Sequence, residues 1–251
     1  MLRVENLSKS FGGVSAMNGV SLDFAQGSLT AIIGPNGAGK TTFFNLVTGA
    51  FRPDSGRVLL GAEDIAGLSA PQIVRKGVGR AFQIANIFPS FTVREAILGA
   101  VNAHRGWHAR LGRRFPLAGA LAQADEVMEL VGLTPRAQVL SGNLAHGEQK
   151  LLDIALALAL EPRVLLLDEP TAGMGPEERW QMIETVHQLW ERKRMTLIFI
   201  EHDMDIVFKY AQTIRVLSYG TVLAEGLPDE VRQHPRVIEA YLGANFRATE
   251  R

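Results

Sequence analysis

Five mostly apolar residues, Leu29-Thr30-Ala31-Ile32-Ile33, run directly into Gly34-Pro35-Asn36-Gly37-Ala38-Gly39-Lys40-Thr41-Thr42, and a further apolar run, Phe43 to Val47, follows. Gly34-x-x-x-x-Gly39-Lys40-Thr41 is the P-loop spacing, which works only where a buried strand turns into a helix. Glycines let successive backbone N–H groups curl around an anion without a Cβ in the way. A helix starting near Gly39 aims its dipole and its unpaired N–H groups at the same point. Lys40 then brings a cation to the β- and γ-phosphates of a nucleotide, and Thr41 a hydroxyl for Mg²⁺. A chain organised around this turn is expected to be α/β, with a sheet covered by helices.

The other half of a phosphoryl-transfer site should be an acid at the tip of a second buried strand. Val164-Leu165-Leu166-Leu167-Asp168-Glu169-Pro170 supplies it. Two consecutive carboxylates leaving a strand point in alternate directions, so they can take different tasks. Asp168 is expected to hold Mg²⁺ through its water shell, and Glu169 to polarise an attacking water.

The rest of the chain reads as one α/β core with a helical insertion. Before the P-loop, residues 2–7 and 20–24 alternate as strands, and Arg57 to Leu60 forms another after it. Ser69 and Pro71 are placed to begin a helix. Apolar spacing then turns helical from Thr92 to about Ala103 and from about Ala118 to Val131, where Leu121, Ala124, Val127, Met128 and Val131 share a face. The basic stretch between them, His104 to Arg114, reads as a solvated loop, with contact to anionic lipid headgroups as the alternative. The helical pattern resumes after Ser141-Gly142-Asn143. Beyond Glu169 come a helix from Pro176 to about Arg192, strands at 196–200, 214–217 and 221–224, and helices at 229–233 and 237–242. A core of about 1–84 and 161–251 and a helical subdomain of about 85–160 are expected, within one domain spanning 1–251.

Composition excludes several classes. A hydrophobic fraction of 47% rules out a disordered chain, and the absence of cysteine rules out disulfides, thiolate metal sites and a cysteine nucleophile. Lys plus Arg (26) balance Asp plus Glu (26), so no global field recruits nucleic acid and the anion site is local. No apolar run is long enough to span a membrane, and the first residues lack the basic-then-apolar order of a secretion signal. A cytoplasmic protein is the expectation.

Together these residues resemble the ATP-binding subunits of ABC transporters, across essentially the whole chain. Gln83 in Arg80-Ala81-Phe82-Gln83 is similar to the family's Q-loop glutamine, and Leu144-Ala145-His146-Gly147-Glu148 stands where the family carries its signature, Leu-Ser-Gly-Gly-Gln. His202 in Ile200-Glu201-His202-Asp203 resembles the switch histidine, and Phe11 the aromatic residue that stacks on adenine. Within the family, Gly79 to Gln83, Ile87-Phe88-Pro89, Phe91 to Glu95, Ala172 to Glu177 and Glu239 to Gly243 resemble the importers of branched-chain amino acids. The length and the Arg-containing insert resemble the LivG-like subunit more than the shorter LivF-like one.

The resemblance implies a fold of RecA-like core, helical subdomain and antiparallel β subdomain near the N-terminus. It also implies an ATP hydrolase using ATP and Mg²⁺, with Glu169, His202 and Gln83 catalytic and Thr41, Gln83 and Asp168 serving the metal. Two subunits, as a homodimer or with a LivF-like partner, would sandwich two ATP molecules. Each site joins one P-loop (Gly34 to Thr42) to the other subunit's signature (Ala145 to Glu148). Polytopic permease subunits, at the cytoplasmic face of the inner membrane, and indirectly a solute-binding protein are the implied partners; nucleic acid is not. Two departures stand out: Ala145 replaces the signature serine, and Gly175 stands where many relatives carry an aspartate. The competing readings are a soluble ABC-type ATPase of DNA repair or translation, which needs coiled-coil arms or tandem cassettes, and a P-loop kinase, which leaves His202 and the signature unexplained.

Overall fold

The computed structural model describes residues 1–82, 88–105 and 118–239, and these divide into two compact units, one of Met1–Ile73 with the chain from Arg194 onward, the other of Val74–Lys193. In the first unit an antiparallel sheet is built from β1 (Leu2–Phe11), β2 (Val14–Phe24), β4 (Ser55–Leu60) and β5 (Glu63–Asp64), in the order β2-β1-β4-β5. Its register pairs apolar residues across the first hairpin, Leu2 with Phe24, Val4 with Leu22 and Leu7 with Val20, and all six are buried. The hairpin closes through Gly12 and Gly13, both at positive φ, as a tight reversal of a twisted pair demands.

The same unit holds three parallel strands, β3 (Leu29–Ile33), β8 (Thr196–Ile200) and β9 (Thr213–Ser218), with β3 between the other two and β10 (Thr221–Gly226) antiparallel on β9. β3 and β8 are buried at every residue, which explains why they read as continuous apolar runs and not as alternation. Helix α1 (Lys40–Val47) leaves the tip of β3. Helix α7 (Met204–Tyr210) was not expected from the periodicity. Seven residues give too short a pattern, and its signal is the Asp203 cap, whose carboxylate accepts from the N–H groups of Asp205 and Ile206. The short helices α8 (Pro228–Gln233) and α9 (Pro235–Val237) follow, and the expected helix at 237–242 runs out of the described residues.

In the second unit β6 (Val78–Ala81) pairs parallel with β7 (Val164–Asp168), bringing Arg80 opposite Leu166. The helices are α3 (Val93–His104), α4 (Ala118–Leu130), α5 (His146–Leu158) and α6 (Pro176–Lys193). α3 packs on α4 and α5, while α5 also packs on β6 and β7. α3 opens with a capping box, in which Thr92 Oγ1 accepts from Glu95 N–H and the Glu95 carboxylate from Thr92 N–H.

Three local expectations are corrected. Ala124, Val127, Met128 and Val131 of the expected α4 face are buried, but Leu121 is only half-buried and Ala120 beside it is fully buried. Ser69 does not accept a bond as the cap of α2 (Ala70–Arg75); its hydroxyl donates to Gln72 Oε1 at 2.8 Å. From the basic stretch, Arg105 donates to Glu161 (2.9 Å) and to Gln123 (2.9 Å), tying the end of α3 into its own unit. Residues 106–117 lie outside the described residues.

Candidate nucleotide site

β3 delivers the P-loop to the carboxyl edge of the parallel strands, where ligands of such sheets gather. Ile32 is in register with Ile200 of β8 and Ile33 with Val216 of β9, so Gly34 emerges between the ends of both neighbours. A Cβ at Gly34 would strike the Leu217 carbonyl, and one at Gly39 (φ 102°) would lie 2.6 Å from the Ala16 carbonyl oxygen. These two glycines are therefore required by close backbone approach as well as by φ. Pro35, Asn36, Gly37 and Ala38 form the curve between them, with Ala38 N–H donating to the Pro35 carbonyl.

No side chain caps the start of α1 and no acid lies in its first turn, so its amino end stays available to an anion. The buried Lys40 ammonium donates to the carbonyls of Gly34 (2.7 Å) and Pro35 (3.2 Å), held at the mouth of the loop it would serve. Thr41 is exposed and Thr42 half-buried. The register that aligns β3 with β8 also brings exposed His202 to the same edge, beyond buried Glu201. Phe11 ends β1 as a 41% exposed residue, its ring edge-on to Phe51 at 5.2 Å and its centroid 5.5 Å from Lys9 Nζ.

In the second unit Asp168 ends β7 with its side chain 3% exposed. Its Oδ2 accepts from Arg80 Nη2 at 2.6 Å, while Oδ1 is buried and has no hydrogen-bond partner among the described residues. A buried carboxylate oxygen without a donor is costly unless something else satisfies it. A cation, or water bound to one, suits that position. Glu169 follows at φ 50°, a left-handed conformation unusual for a residue with a Cβ. Its carbonyl accepts from Lys150 Nζ at 2.8 Å and from Ala172 N–H at 3.1 Å.

The signature segment forms the first turn of α5. Ala145 is its cap residue and has no side-chain acceptor; half of a capping box remains, since Glu148 Oε2 accepts from Ala145 N–H at 3.1 Å. Glu148 Oε1 accepts from Arg136 Nε at 2.6 Å, and that bond holds the Glu148 carboxyl below its ordinary range. His146 turns its Nε2 to the Ala172 carbonyl at 3.2 Å, which requires the proton on Nε2. A cavity of about 410 Å³ opens beside this turn, lined by Ala145, Gly147, Glu148, Met174 and Glu178 among others. Gln83 lies outside the described residues, although its neighbour Phe82 is placed by a 2.6 Å bond from its N–H to Asp153. Sequence reasoning gave no role to Arg80, Lys150 or Asp153. The available signal was a charged residue inside an apolar strand or on the covered face of a helix.

The strand–P-loop–helix turn, the acid pair closing a buried strand and the glycine at the start of α5 define an ATP-binding cassette. A model of the ABC transporter family matches residues 17–172, and the chain belongs to that family of ATP-hydrolysing transport ATPases. A second model, the branched-chain amino acid ATP-binding cassette transporter, matches residues 221–247. The chain is 39% identical over 249 residues to the high-affinity branched-chain amino acid transport ATP-binding protein LivG of Salmonella typhimurium, covering 97% of this chain and 98% of LivG. The similarity to BraF of Pseudomonas aeruginosa, with the same description, has the same extent. Among solved structures, a nucleotide-free ATP-binding cassette from an ABC transporter superimposes with a TM-score of 0.84 at 31% identity, covering 97% of this chain and 99% of that one. The ADP conformation of the cassette MJ1267 gives 0.84 at 30%, covering 97% and 98%. These similarities set aside the DNA-repair or translation ATPase and the kinase.

Proposed function

We propose that this chain is the ATP-hydrolysing subunit of an importer of branched-chain amino acids or similar small organic solutes, peripheral at the cytoplasmic face of the membrane. The observation that carries the solute class is the family match over residues 221–247, beside relatives whose descriptions name branched-chain amino acid transport. Among the described residues no helix is long and apolar enough to cross a membrane, so the path for the solute belongs to polytopic permease partners.

The chemistry follows from the site. ATP binds with its phosphates in the loop Gly34 to Thr42, Lys40 exchanging carbonyl partners for phosphate oxygens. Thr41, Asp168 and Gln83 would hold Mg²⁺, which when bound neutralises charge on the β- and γ-phosphates; the donor-free Asp168 Oδ1 fits such a role. Glu169 accepts the proton of the attacking water, and His202 faces the γ-phosphate from the end of β8. Phe11 stacks on the base. The second half of each site comes from Ala145 to Glu148 of another ATP-binding subunit, a second copy or a LivF-like one. ATP binds the closed pair better than the open one, so it shifts that equilibrium, and hydrolysis releases it.

Uptake of radiolabelled leucine, isoleucine and valine in cells lacking the chain tests this reading. High-affinity uptake should fall on deletion, return with the parental gene and fail to return with Lys40→Ala. Unchanged uptake of all three after deletion would assign the chain to another solute.

A further inference from the structure

His146, Lys150 and Asp153 are spaced i, i+4 and i+7, which puts them on a single stripe of α5. The stripe faces elements on which α5 packs, where apolar residues are the ordinary choice, and Lys150 and Asp153 are 4% and 5% exposed. Their partners are backbone groups of the turn that follows Glu169, of Glu169 itself and of the residue before Gln83. His146 Nε2 donates to the carbonyl of Ala172 at 3.2 Å. Lys150 Nζ donates to the carbonyl of Glu169 at 2.8 Å. Asp153 Oδ2 accepts from the N–H of Phe82, the residue before Gln83, at 2.6 Å.

The backbone that they hold is under strain. Glu169 sits at φ 50° despite its Cβ, a conformation that persists only where the surroundings enforce it. Lys150 and the N–H of Ala172 meet on its carbonyl, fixing the peptide that orients the Glu169 side chain. At the other end of the turn Gly173 has φ 81°, and a Cβ there would lie 3.1 Å from His146 Nε2. The turn from 169 to 173 thus meets α5 at two points one helical turn apart, His146 and Lys150.

We propose that His146, Lys150 and Asp153 are positioning residues for hydrolysis: one stripe of α5 sets the posture of Glu169 and of the residue before Gln83. This rests on the reading of Glu169 as general base and of the α5 start as the surface offered to a second subunit's ATP. Nucleotide held at the helix start then acts on this chain's own Glu169 through a single rigid helix, one turn long from His146 to Lys150. Occupancy of one site is registered at the base of the other.

Lys150→Met keeps the length of the side chain and removes its donors, and Lys150→Arg keeps a donor. Steady-state hydrolysis and nucleotide binding by the purified full chain provide the readout. Lys150→Met should lower kcat tenfold or more with KM and nucleotide affinity within twofold, and Lys150→Arg should recover most of the loss. A merely structural lysine predicts lower yield and melting temperature with parental kcat per folded molecule. Parental kcat in Lys150→Met overturns the proposal, as does a loss that Lys150→Arg leaves unrecovered or that appears equally in affinity. If Lys150→Met does not fold, exposed His146→Ala decides: a severalfold loss of kcat at unchanged affinity supports the stripe, and parental kcat overturns it. Glu169→Gln, measured alongside, separates the failures. An inactive Glu169→Gln beside an active Lys150→Met removes the stripe alone; an active Glu169→Gln removes the general base and the proposal with it.

Discussion

At the scale of single residues, the two charged groups at the centre of the proposed site each rest on a neighbour. Lys40 rests on the carbonyls of Gly34 and Pro35, and Asp168 on Arg80. Neither holding interaction could be read from the motif, because the P-loop spacing speaks only of phosphate. Lys40→Ala removes the cation at the phosphates, and ATP affinity should fall at least roughly a hundredfold given the strength of charge-assisted bonds. Equilibrium binding of a fluorescent nucleotide checks this. Arg80 and Asp168 are 7% and 3% exposed at the side chain, so their pair is a buried one. Arg80→Met leaves the carboxylate without its cation and should destabilise the chain by about 3 kcal/mol, whereas Arg80→Met with Asp168→Asn should recover much of that. Urea unfolding of parent, single and double variants measures the difference. Equal losses in single and double variants would mean that the pair is not what the arginine contributes.

At the scale of elements, legibility in the sequence depended on length and on burial of both faces. β3, β7 and β8, buried at every residue, were read as apolar runs, and α3, α5 and α6 are long enough for their periodicity to be counted. β6 and α7, of four and seven residues, carry too little pattern and were missed. The polar stripe of α5 escaped notice for a different reason: its residues bind backbone groups distant in sequence, and no local spacing encodes them. The segment Ala145 to Glu148 opens α5 with an unusual cap, because Ala145 brings no acceptor and Glu148 alone bonds back. That makes the cap sensitive to pH. Arg136 and the Ala145 N–H hold the Glu148 carboxyl below its ordinary value of 4.5, so the stabilisation is complete above that value and is lost as pH falls through the lowered one. Glu148→Gln should therefore cost about 1 kcal/mol or less at pH 7, the side chain being partly solvent-screened, and the gap from the parent should close on acidification. Chemical unfolding at pH 7, 5 and 3.5 follows the gap; a difference that stays constant across that range would assign the loss to geometry and not to charge.

At the scale of the whole molecule, the proposed mechanism joins this chain's P-loop to the signature of a second ATP-binding subunit. Glu169→Gln keeps the size of the side chain and removes its ability to take a proton, so the ATP-bound pair should form and then persist. Light scattering with and without ATP should show a dimer in Glu169→Gln that the parent populates only transiently; a parental rate of hydrolysis in the variant would shift the proton acceptor elsewhere, with His202 next in line. Ala145 bears on the same equilibrium from the opposite face. His146 Nε2 is engaged by the Ala172 carbonyl within its own chain, so the missing signature hydroxyl is not replaced through that atom. A serine at 145 would gain twice. Its oxygen can accept from the α5 N–H groups that Ala145 leaves without a side-chain cap, adding about 1 kcal/mol to the stability of the single chain. The same hydroxyl has a proton to donate to a γ-phosphate held by a second subunit. A charge-assisted bond of that kind is worth about 1.5–3 kcal/mol gross, but water already bridging the gap offsets most of it. Ala145→Ser should thus raise ATP-driven dimerisation severalfold at most, raise the unfolding midpoint without nucleotide, and leave the chain's own affinity for ATP unchanged because its P-loop is untouched. A stability gain with no change in dimerisation would keep the helix cap and remove Ala145 from the nucleotide interface.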